Sequence, residues 1–363
     1  MVSMTRKALI MAGGTGGHVF PALAVATALH EQGVEVYWLG SRHGMEANIV
    51  NKAGFNFTSI NISGLRGKGI LKWLLAPFTI LLATISAMGI VLHIKPNVVL
   101  GMGGFVTGPG GLAARLLGKP LVVHEQNAIP GMTNVLLSKI ANRILQAFPN
   151  TFRINSKLFL TGNPVRKDIN QLEKPQHRYL AHSGPIRILV VGGSLGAQAL
   201  NEVVPQAIAL LEISQRPSIW HQSGKNKLVQ TQQAYAALDG DIQIVEFIED
   251  MEQAYTWADL IICRAGAMTI TEICNVGLAS ILVPYPYAVD DHQSANARYL
   301  SQANAAILIQ QIELTPQRLA DELKQLIAGG REQLLVMANR ALDLARPQAT
   351  AQVVQHCLEV AHG

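Results

Sequence analysis

A hydrophobic strand that runs into a glycine-rich turn occurs twice in this chain, once near the start of each half. The first strand, at residues 7–12, leads into the turn at residues 13–17, and the second, at residues 186–191, leads into the turn at residues 192–196. Glycines at a strand-to-helix turn let the backbone approach a phosphate, and the following helix directs N–H groups and the positive end of its dipole at it. The repetition predicts two nucleotide-binding lobes that face one cleft.

The spacing of the hydrophobic runs predicts a parallel sheet in each half. Strand-like runs alternate with helical stretches, which is typical of βαβ units. The composition agrees, because 49% hydrophobic residues, 15% charged residues and 32 glycines suit buried parallel strands and tight turns. We therefore predict an α/β fold of two Rossmann-like, doubly wound parallel-sheet domains. The expected strands lie at residues 7–12, 34–39, 97–100, 121–124, 143–148, 186–191, 218–221, 242–247, 260–263, 279–283 and 305–309.

The length of 363 residues is enough for two domains, each with its own core. The polar stretch at residues 161–185 is rich in proline, lysine and glutamine, and we interpret it as the linker. We place the first domain at residues 1–163 and the second at residues 164–346. Residues 347–363 could form a last helix that packs back on either lobe, and we assign it to the first.

Charge and cysteine usage limit the classes of partner. A net charge of +5 and a pI near 9.1 are compatible with anionic lipid, nucleic acid or a phosphorylated substrate, and the absence of basic runs disfavours nucleic acid. Three cysteines without CxxC spacing indicate a reducing compartment and no zinc site. The start of the chain shows no apolar region of a signal peptide.

Residues 73–94 contain no charged residue and are long enough for a transmembrane helix. A spanning helix would separate strands that the predicted sheet requires to lie side by side. Three interpretations stay open: a spanning helix, a buried crossover helix, and a helix partly exposed to a membrane surface, which we favour. Upstream, Arg66, Lys68 and Lys72 could meet lipid phosphates or form a solvated basic loop.

The first glycine turn does not match two common nucleotide-binding motifs. It lacks the GxGxxG pattern, and strand 34–39 ends in Gly40-Ser41 where a dinucleotide-binding domain has an acidic ribose ligand, so a dehydrogenase is disfavoured. The chain also has no GxxxxGK[ST], which disfavours a P-loop NTPase. His18 follows the turn directly and is either a packing or capping residue or a general base.

Further polar and glycine-rich segments follow other predicted strands. Residues 101–105 could hold a second phosphate or be a packing turn, and the polar residues 124–127 end the next strand at the same sheet edge. In the second half, residues 264–268 precede a helix in which Glu272 could accept ribose hydroxyls or simply complement the helix dipole. Residues 290–293 include two acids and a histidine, but adjacent loop residues rarely converge on a metal.

Six motifs occur in order over nearly the whole chain and together closely resemble the MurG family of N-acetylglucosaminyltransferases. They are GGTGGH at 13–18, GMGGF at 101–105, HEQN at 124–127, TGNPVR at 161–166, GGSLGA at 192–197 and RAGAMTITE at 264–272. The resemblance implies a two-lobed GT-B fold. It also implies the inverting transfer of N-acetylglucosamine from UDP-N-acetylglucosamine to the C4 hydroxyl of the muramoyl sugar of lipid I, which yields lipid II.

The resemblance further implies the roles of individual residues. His18 would be the catalytic base, and Gly103, Gly104 and Glu125 would contact the acceptor. No cofactor and no metal would be needed. The donor would be held by Thr15, Gly16, Gly17, Asn127, Arg166, Ser194, Ile248, Ala267, Met268, Thr269, Ile270, Thr271, Glu272 and Gln293.

The family works peripherally at the cytoplasmic face of the bacterial inner membrane, which supports contact of residues 73–94 with an anionic membrane surface. The chain departs from the family at Phe105, where tyrosine is frequent, and at Asp291-His292, where the neighbours of Gln293 are often richer in amides. Two alternatives remain, a UDP-N-acetylglucosamine 2-epimerase and a non-catalytic, membrane-attached binder of nucleotide sugars.

Overall fold

The computed structural model describes residues 6–42, 44–62, 64 and 70–362. The chain divides into two compact units, Met1–Arg166 together with Pro347–Gly363, and Lys167–Arg346. Each unit contains one sheet in which all strand pairs are parallel, so the α/β prediction is confirmed.

The first unit is built on a seven-stranded sheet in the order β3-β2-β1-β4-β5-β6-β7. From β1 the chain moves outward to β3 and then returns to β4 on the other side of β1, which makes the carboxyl ends of β1 and β4 the topological switch point. The strands are β1 Lys7–Met11, β2 Glu35–Ser41, β3 Asn56–Ile60, β4 Val98–Gly101, β5 Leu121–Glu125, β6 Arg143–Gln146 and β7 Leu158–Leu160. The helices are α1 Gly16–Glu31, α2 Glu46–Lys52, α3 Ile70–Ile94, α4 Thr107–Leu116 and α5 Met132–Ser138.

The second unit repeats this plan with six strands in the order β10-β9-β8-β11-β12-β13, so its switch point lies between β8 and β11. The strands are β8 Arg187–Val191, β9 Ser218–Gln222, β10 Ile242–Val245, β11 Leu260–Cys263, β12 Ala279–Leu282 and β13 Ala306–Leu308. The helices are α6 Lys167–Asn170, α7 Pro175–Ala181, α8 Gln198–Ala209, α9 Leu228–Tyr235, α10 Met251–Trp257, α11 Ala267–Val276, α12 His292–Ser301 and α13 Pro316–Asp343. The last helix of the chain, α14 Ala349–His362, belongs to the first unit.

Helices cover both faces of the first sheet. Successive side chains of a strand point to opposite faces, so one strand contributes to two hydrophobic clusters. In β1, Ala8 and Ile10 join one hydrophobic cluster, while Leu9 and Met11 join the other. The first cluster includes Val25 of α1 together with Val353, Val354 and Cys357 of α14. The last helix therefore completes the core on that face of the first sheet.

The stretch at residues 161–185, predicted to be a linker, is mostly folded into the second unit. It contains α6 and α7, and the buried Arg178 donates hydrogen bonds to the carbonyl oxygens of Val276 at 2.9 Å and Gly277 at 2.7 Å. The hydroxyl of Tyr179 donates to the carbonyl of Asp259 at 2.6 Å. Arg178 and Tyr179 thus attach this stretch to the second unit, while its lysines and glutamines are exposed.

Helix α3 is the crossover between β3 and β4 of one sheet. Its small and branched residues Ala83, Ala87 and Val91 are buried in the second cluster of the first unit, and its outer face is apolar and exposed. The part Leu75–Ile94 is long and apolar enough to cross a membrane by length and composition. Arg66 and Lys68 lie outside the described residues, as does the side chain of Lys72.

Candidate active site

Two glycine turns of the first unit meet at its switch point. The amide of Met102 donates to the carbonyl of Met11 at 2.8 Å, which joins the end of β4 to the end of β1. Gly104 has a φ of +86°, and a Cβ atom at this position would collide with the backbone of Gly13. Only glycine satisfies both conditions, so the turn at residues 101–104 supports the turn at residues 13–17 directly.

The first turn presents the start of α1 to solvent. Thr15 is the N-cap residue, with extended backbone and no side-chain capping bond. Gly16 and Gly17 are the first two residues of the helix. Thr15 and Gly17 are exposed and Gly16 is half-buried. The turn thus presents an accessible helix N-terminus, the kind of position at which anions bind in proteins.

His18 lies in the first turn of α1 and is half-buried. Its Nδ1 donates to the carbonyl oxygen of Gly13 at 3.3 Å, because a carbonyl can only accept. This contact assigns the proton to Nδ1 and the lone pair of the neutral imidazole to Nε2. A Cβ atom at Gly103 would lie 2.6 Å from Cδ2 of the ring, so His18 packs on the second turn. The structure therefore brings together His18, Gly103 and Gly104.

Glu125, predicted to contact the acceptor, instead supports its own loop. Its Oε1 accepts from the backbone amide of Asn127 at 3.0 Å and from the Asn127 side chain at 3.3 Å. Its Oε2 accepts from the amide of Gly131 at 3.0 Å and from Nδ2 of Asn134 at 2.8 Å. The side chain is buried, so its contribution is to hold Asn127, which is half-buried at the carboxyl edge of the sheet.

The neighbours of Glu125 are also structural. His124 is buried and its Nε2 donates to the carbonyl of Gly162 at 2.9 Å, while burial lowers its pKa to about 4. Gln126 donates to the carbonyl of Met102 at 2.8 Å and so connects the end of β5 to the second glycine turn. Arg166 is exposed at the last position of the first unit before the chain enters the second.

In the second unit, the glycine turn after β8 packs against the turn after β9. Gly196 and Gly224 both have positive φ, of +68° and +87°, and a Cβ atom on either would collide with the backbone of the other turn. Lys227 donates to the carbonyl of Leu195 at 2.8 Å. Ser194 is left exposed at the tip of the turn, where the sequence predicts a phosphate contact.

Replacing Gly224 with alanine is expected to destabilise the second unit more than replacing Gly184. Both positions have positive φ, but a Cβ atom at Gly184 has nothing within 4 Å, whereas one at Gly224 would collide with the Gly196 backbone. The additional overlap costs about 1–3 kcal/mol. The midpoint of urea unfolding should be lower for Gly224→Ala than for Gly184→Ala, and equal midpoints would refute this close packing of the two turns.

Gln222 is a buried residue of this site that the sequence analysis did not identify. Its Nε2 donates to the carbonyl of Gly193 at 3.0 Å, and its Oε1 accepts from the amide of Ile248 at 3.1 Å. It thereby couples the glycine turn to the segment after β10, which contains Ile248, one of the predicted donor contacts. In the sequence, the only sign of a role for Gln222 is that this polar residue directly follows a predicted strand.

The N-cap residue of α11 is Gly266, which has no side chain that could cap the first N–H groups of the helix. Of the residues predicted to wrap the nucleotide, Met268 and Thr269 are half-buried, whereas Ala267, Ile270 and Thr271 are buried. Thr271 donates its hydroxyl proton to the carbonyl of Ala267 at 2.9 Å. The buried members thus form the helix and its packing, and the accessible side chains of the segment are Met268 and Thr269.

Glu272 follows one turn into α11 and is half-buried. Its Oε2 accepts a hydrogen bond from the hydroxyl of Tyr255 at 2.8 Å. Tyr255 comes from α10 and is buried. This orienting contact was not predicted, because Tyr255 and Glu272 are 17 residues apart in different helices.

Arg264 connects the end of β11 to neighbouring loops through the hydrogen bonds of its guanidinium. Its guanidinium donates to the carbonyls of Val283 and Pro284, each at 3.1 Å, and to Oε1 of Gln311 at 2.6 Å. It also lies 5.5 Å from the centre of the Tyr285 ring. These contacts fix the segment that leads into α11.

Gln293 lies in the first turn of α12 and its Oε1 accepts from the amide of Tyr285 at 2.9 Å. The two preceding acids, Asp290 and Asp291, both have left-handed backbone, with φ of +54° and +53°, which is uncommon outside glycine. Within the described part of the chain, no three histidine, cysteine or acidic side chains are grouped as a metal site would require. The strained turn and Gln293 thus stand at the carboxyl end of β12 beside the start of α11.

Comparison with known proteins identifies relatives over the full length. The glycosyltransferase family 28 N-terminal domain matches residues 8–146, and the C-terminal domain of the same family matches residues 187–353. A protein of Marinobacter nauticus is 51% identical over 361 residues, covering 99% of each chain. It is named UDP-N-acetylglucosamine--N-acetylmuramyl-(pentapeptide) pyrophosphoryl-undecaprenol N-acetylglucosamine transferase.

Comparison with solved structures places the chain among the same enzymes. The crystal structure of MurG from Acinetobacter baumannii is 45% identical, with a TM-score of 0.86 over 98% of this chain and 99% of that one. A UDP-N-acetylglucosamine 2-epimerase is 12% identical with a TM-score of 0.66, over 98% and 96% of the two chains, and so shares the fold alone. The GT-B fold expected from the six motifs is confirmed.

Proposed function

This chain belongs to the MurG family of N-acetylglucosaminyltransferases, and we propose that it moves N-acetylglucosamine from UDP-N-acetylglucosamine to the C4 hydroxyl of the muramoyl sugar of lipid I, forming lipid II. The observation that carries the proposal is the full-length similarity to relatives named for this transfer. The glycine turns after β1 and β8 lie at the switch points of the two sheets and agree with it. We assign the donor nucleotide to the second unit and the acceptor sugar to the first.

In the second unit, the start of α11 and the turn bearing Ser194 supply backbone N–H groups for the diphosphate. Glu272, oriented by Tyr255, accepts the ribose hydroxyls, and Ile248 lies against the uracil. Gln293 contacts the hydroxyls of the transferred sugar. As UDP departs, the negative charge that develops on it is stabilised by the N-terminus of α11.

In the first unit, Nε2 of His18 takes the proton of the acceptor C4 hydroxyl as that oxygen attacks the anomeric carbon. The new C–O bond forms on the face opposite the leaving group, and the bond to the UDP oxygen breaks with its electron pair going to UDP. Inversion of the anomeric centre follows from this single displacement. Thr15, Gly16 and Gly17 keep their assignment as donor contacts, and Asn127 its assignment near the sugar.

Incubation with radiolabelled UDP-N-acetylglucosamine, with and without lipid I in detergent, tests this proposal. Transfer predicts label in the lipid fraction only when lipid I is present, with release of an equal amount of UDP. Conversion of the donor to its 2-epimer without lipid I would favour an epimerase, and retention of unchanged donor would favour a binding protein. Either of the last two results would overturn the proposed transfer.

We also propose that the first unit binds the anionic cytoplasmic surface of the inner membrane through an apolar face on three packed helices. Helix α3 packs on α4, and α4 packs on α5. A large group of exposed apolar side chains on adjacent helices is typical of a surface that contacts a membrane or another protein. The apolar face consists of Leu75, Phe78, Leu81, Leu82, Ile85 and Leu92 of α3, Leu112 and Leu116 of α4, and Met132, Val135 and Leu136 of α5.

Replacing Leu82 or Leu116 with glutamate should weaken membrane binding. The two side chains are 67% and 62% exposed, and inserting one leucine into lipid is worth about 1.5–3 kcal/mol, so the vesicle partition coefficient should fall about tenfold or more. Flotation with vesicles of phosphatidylethanolamine and phosphatidylglycerol measures it. Ile154→Glu is the matched control, because Ile154 is 93% exposed and lies outside the apolar face. Equal flotation of all three variants would contradict the proposal.

A further inference from the structure

Glu46 is a fully buried carboxylate of the first unit for which the proposed reaction has no role. It is the first residue of α2, and its Oε1 accepts from the amide of Ser41 at 2.7 Å and from the Ser41 hydroxyl at 2.6 Å. Its Oε2 accepts from the amide of Gly14 at 3.4 Å. The carboxylate therefore joins the end of β2 to the first glycine turn.

Three glycines provide the space that Glu46 fills. A Cβ atom at Gly13 would lie 2.6 Å from Oε1 of Glu46, and one at Gly44 would collide with its Oε2. A Cβ atom at Gly40 would meet the ring of Phe57 first and would also lie 2.9 Å from Cγ of Glu46. A larger residue at Gly13 or Gly44 would therefore displace the carboxylate.

One peptide group lies between Glu46 and His18. The N–H of Gly14 and the carbonyl of Gly13 belong to the same amide: the N–H donates to Glu46, and the carbonyl accepts from Nδ1 of His18 at 3.3 Å. Hydrogen bonds in such a chain polarise one another, so a carboxylate on the N–H makes the carbonyl a stronger acceptor. Gly104 packs on the backbone of Gly13 and limits movement of this peptide group.

We propose that Glu46 is a positioning residue that acts on His18 through the Gly13–Gly14 peptide. The arrangement resembles the acid–histidine pair of hydrolases, with a peptide group inserted between the acid and the imidazole. It keeps the proton on Nδ1, presents Nε2 as the base, and stabilises the imidazolium that forms when Nε2 takes the acceptor proton. The inference rests on the proposed function, because it requires His18 to be the base.

The test is a double-mutant cycle of Glu46→Gln and His18→Ala, in which kcat and the donor KM are measured for the full chain. Glu46→Gln keeps the shape but loses the charge and replaces one acceptor oxygen with an NH2 donor, so a hydrogen bond from Gly14 or Ser41 is lost. We expect kcat to fall about tenfold or more with the donor KM little changed, and the thermal midpoint to be lowered by the lost bond. In the His18→Ala background the same change should lower kcat by less than about twofold, because the residue through which Glu46 acts is gone. Glu35→Gln, the same substitution at a partly exposed position of β2, is the control and should leave kcat unchanged.

The outcomes distinguish failure of the role of Glu46 from failure of His18 as the base. An equal loss of kcat from Glu46→Gln in both backgrounds would show a merely structural role and overturn the inference, as would wild-type kcat in Glu46→Gln. Wild-type kcat in His18→Ala would overturn the assignment of the base itself, and the inference with it. If Glu46→Gln does not fold, Glu46→Asp, which keeps the charge but reaches less far towards Gly14, is measured in the same cycle.

Discussion

Replacing His18 with alanine is expected to lower kcat by about 100-fold or more, with the donor KM little changed. An acceptor hydroxyl has a pKa far above neutral, so without a base its proton must leave to water as the new bond forms. Nδ1 of His18 donates to the carbonyl of Gly13, which leaves Nε2 to accept that proton. Because the nucleotide is assigned to the second unit, loss of this ring should act on the chemical step rather than on donor affinity.

Steady-state kinetics with lipid I, or a soluble analogue of it, measure this effect. His30→Ala is the matched control, since His30 lies on the same helix α1, is exposed, and stacks edge-on with Phe55. It should keep kcat within about twofold of the wild type. Turnover of His18→Ala within a few-fold of the wild type would eliminate His18 as the base.

Replacing Glu272 with alanine should raise the donor KM by about 10- to 100-fold while changing kcat much less. A hydrogen bond to a charged group contributes about 1.5–3 kcal/mol, which corresponds to a factor of this size. One carboxylate oxygen already accepts from Tyr255, which orients the group for the ribose hydroxyls. Tyr255→Phe removes only that orienting bond, so its KM should rise by a smaller factor, about 2- to 10-fold.

A donor lacking the ribose 2′-hydroxyl gives an independent reading of the same contact. The wild type should bind this deoxy donor more weakly than UDP-N-acetylglucosamine, whereas Glu272→Ala should distinguish the two donors poorly. A variant that loses kcat with unchanged KM, or that still discriminates between the donors as the wild type does, would show that Glu272 does not contact the ribose.

The strands that stand out most clearly in the sequence are those buried on both faces. Every residue of β4, β5, β11 and β12 is buried, and such strands appear as continuous hydrophobic runs. The edge strands β3 and β7 were missed; only Ile60 is buried in β3 and no residue is fully buried in β7. Partial burial alone did not hide a strand, since the edge strands β10 and β13 were predicted although no residue of β10 is buried.

The local parts of the site were equally predictable, whereas the supporting residues were not. The glycine turns and His18 are adjacent in the chain, so spacing alone identifies them. Gln222, Tyr255 and Glu46 reach the site from other elements, and a sequence pattern holds no sign of such contacts. Buried residues such as Glu125 and Ile270 were predicted to contact ligands because motif position does not reveal burial.

The missing acid at the end of β2 illustrates this limit. Gly40-Ser41 at the end of the strand disfavours a dinucleotide-binding domain, which has an acidic ribose ligand at this position. In the folded chain, Glu46 of α2 turns back to Ser41 and places a carboxylate against the glycine turn. The residue type is present, but it faces the protein backbone instead of a ribose.

The return of α14 to the first unit makes the second unit an insertion in the chain of the first. Two covalent connections, after Arg166 and after Arg346, join the units. During synthesis, residues 167–346 are complete before Val353, Val354 and Cys357 can fill the core beside β1. The second unit can therefore fold while the first unit still exposes part of its interior. Truncation after residue 346 would damage the first unit, which carries His18, rather than the second unit, which directly precedes the removed residues.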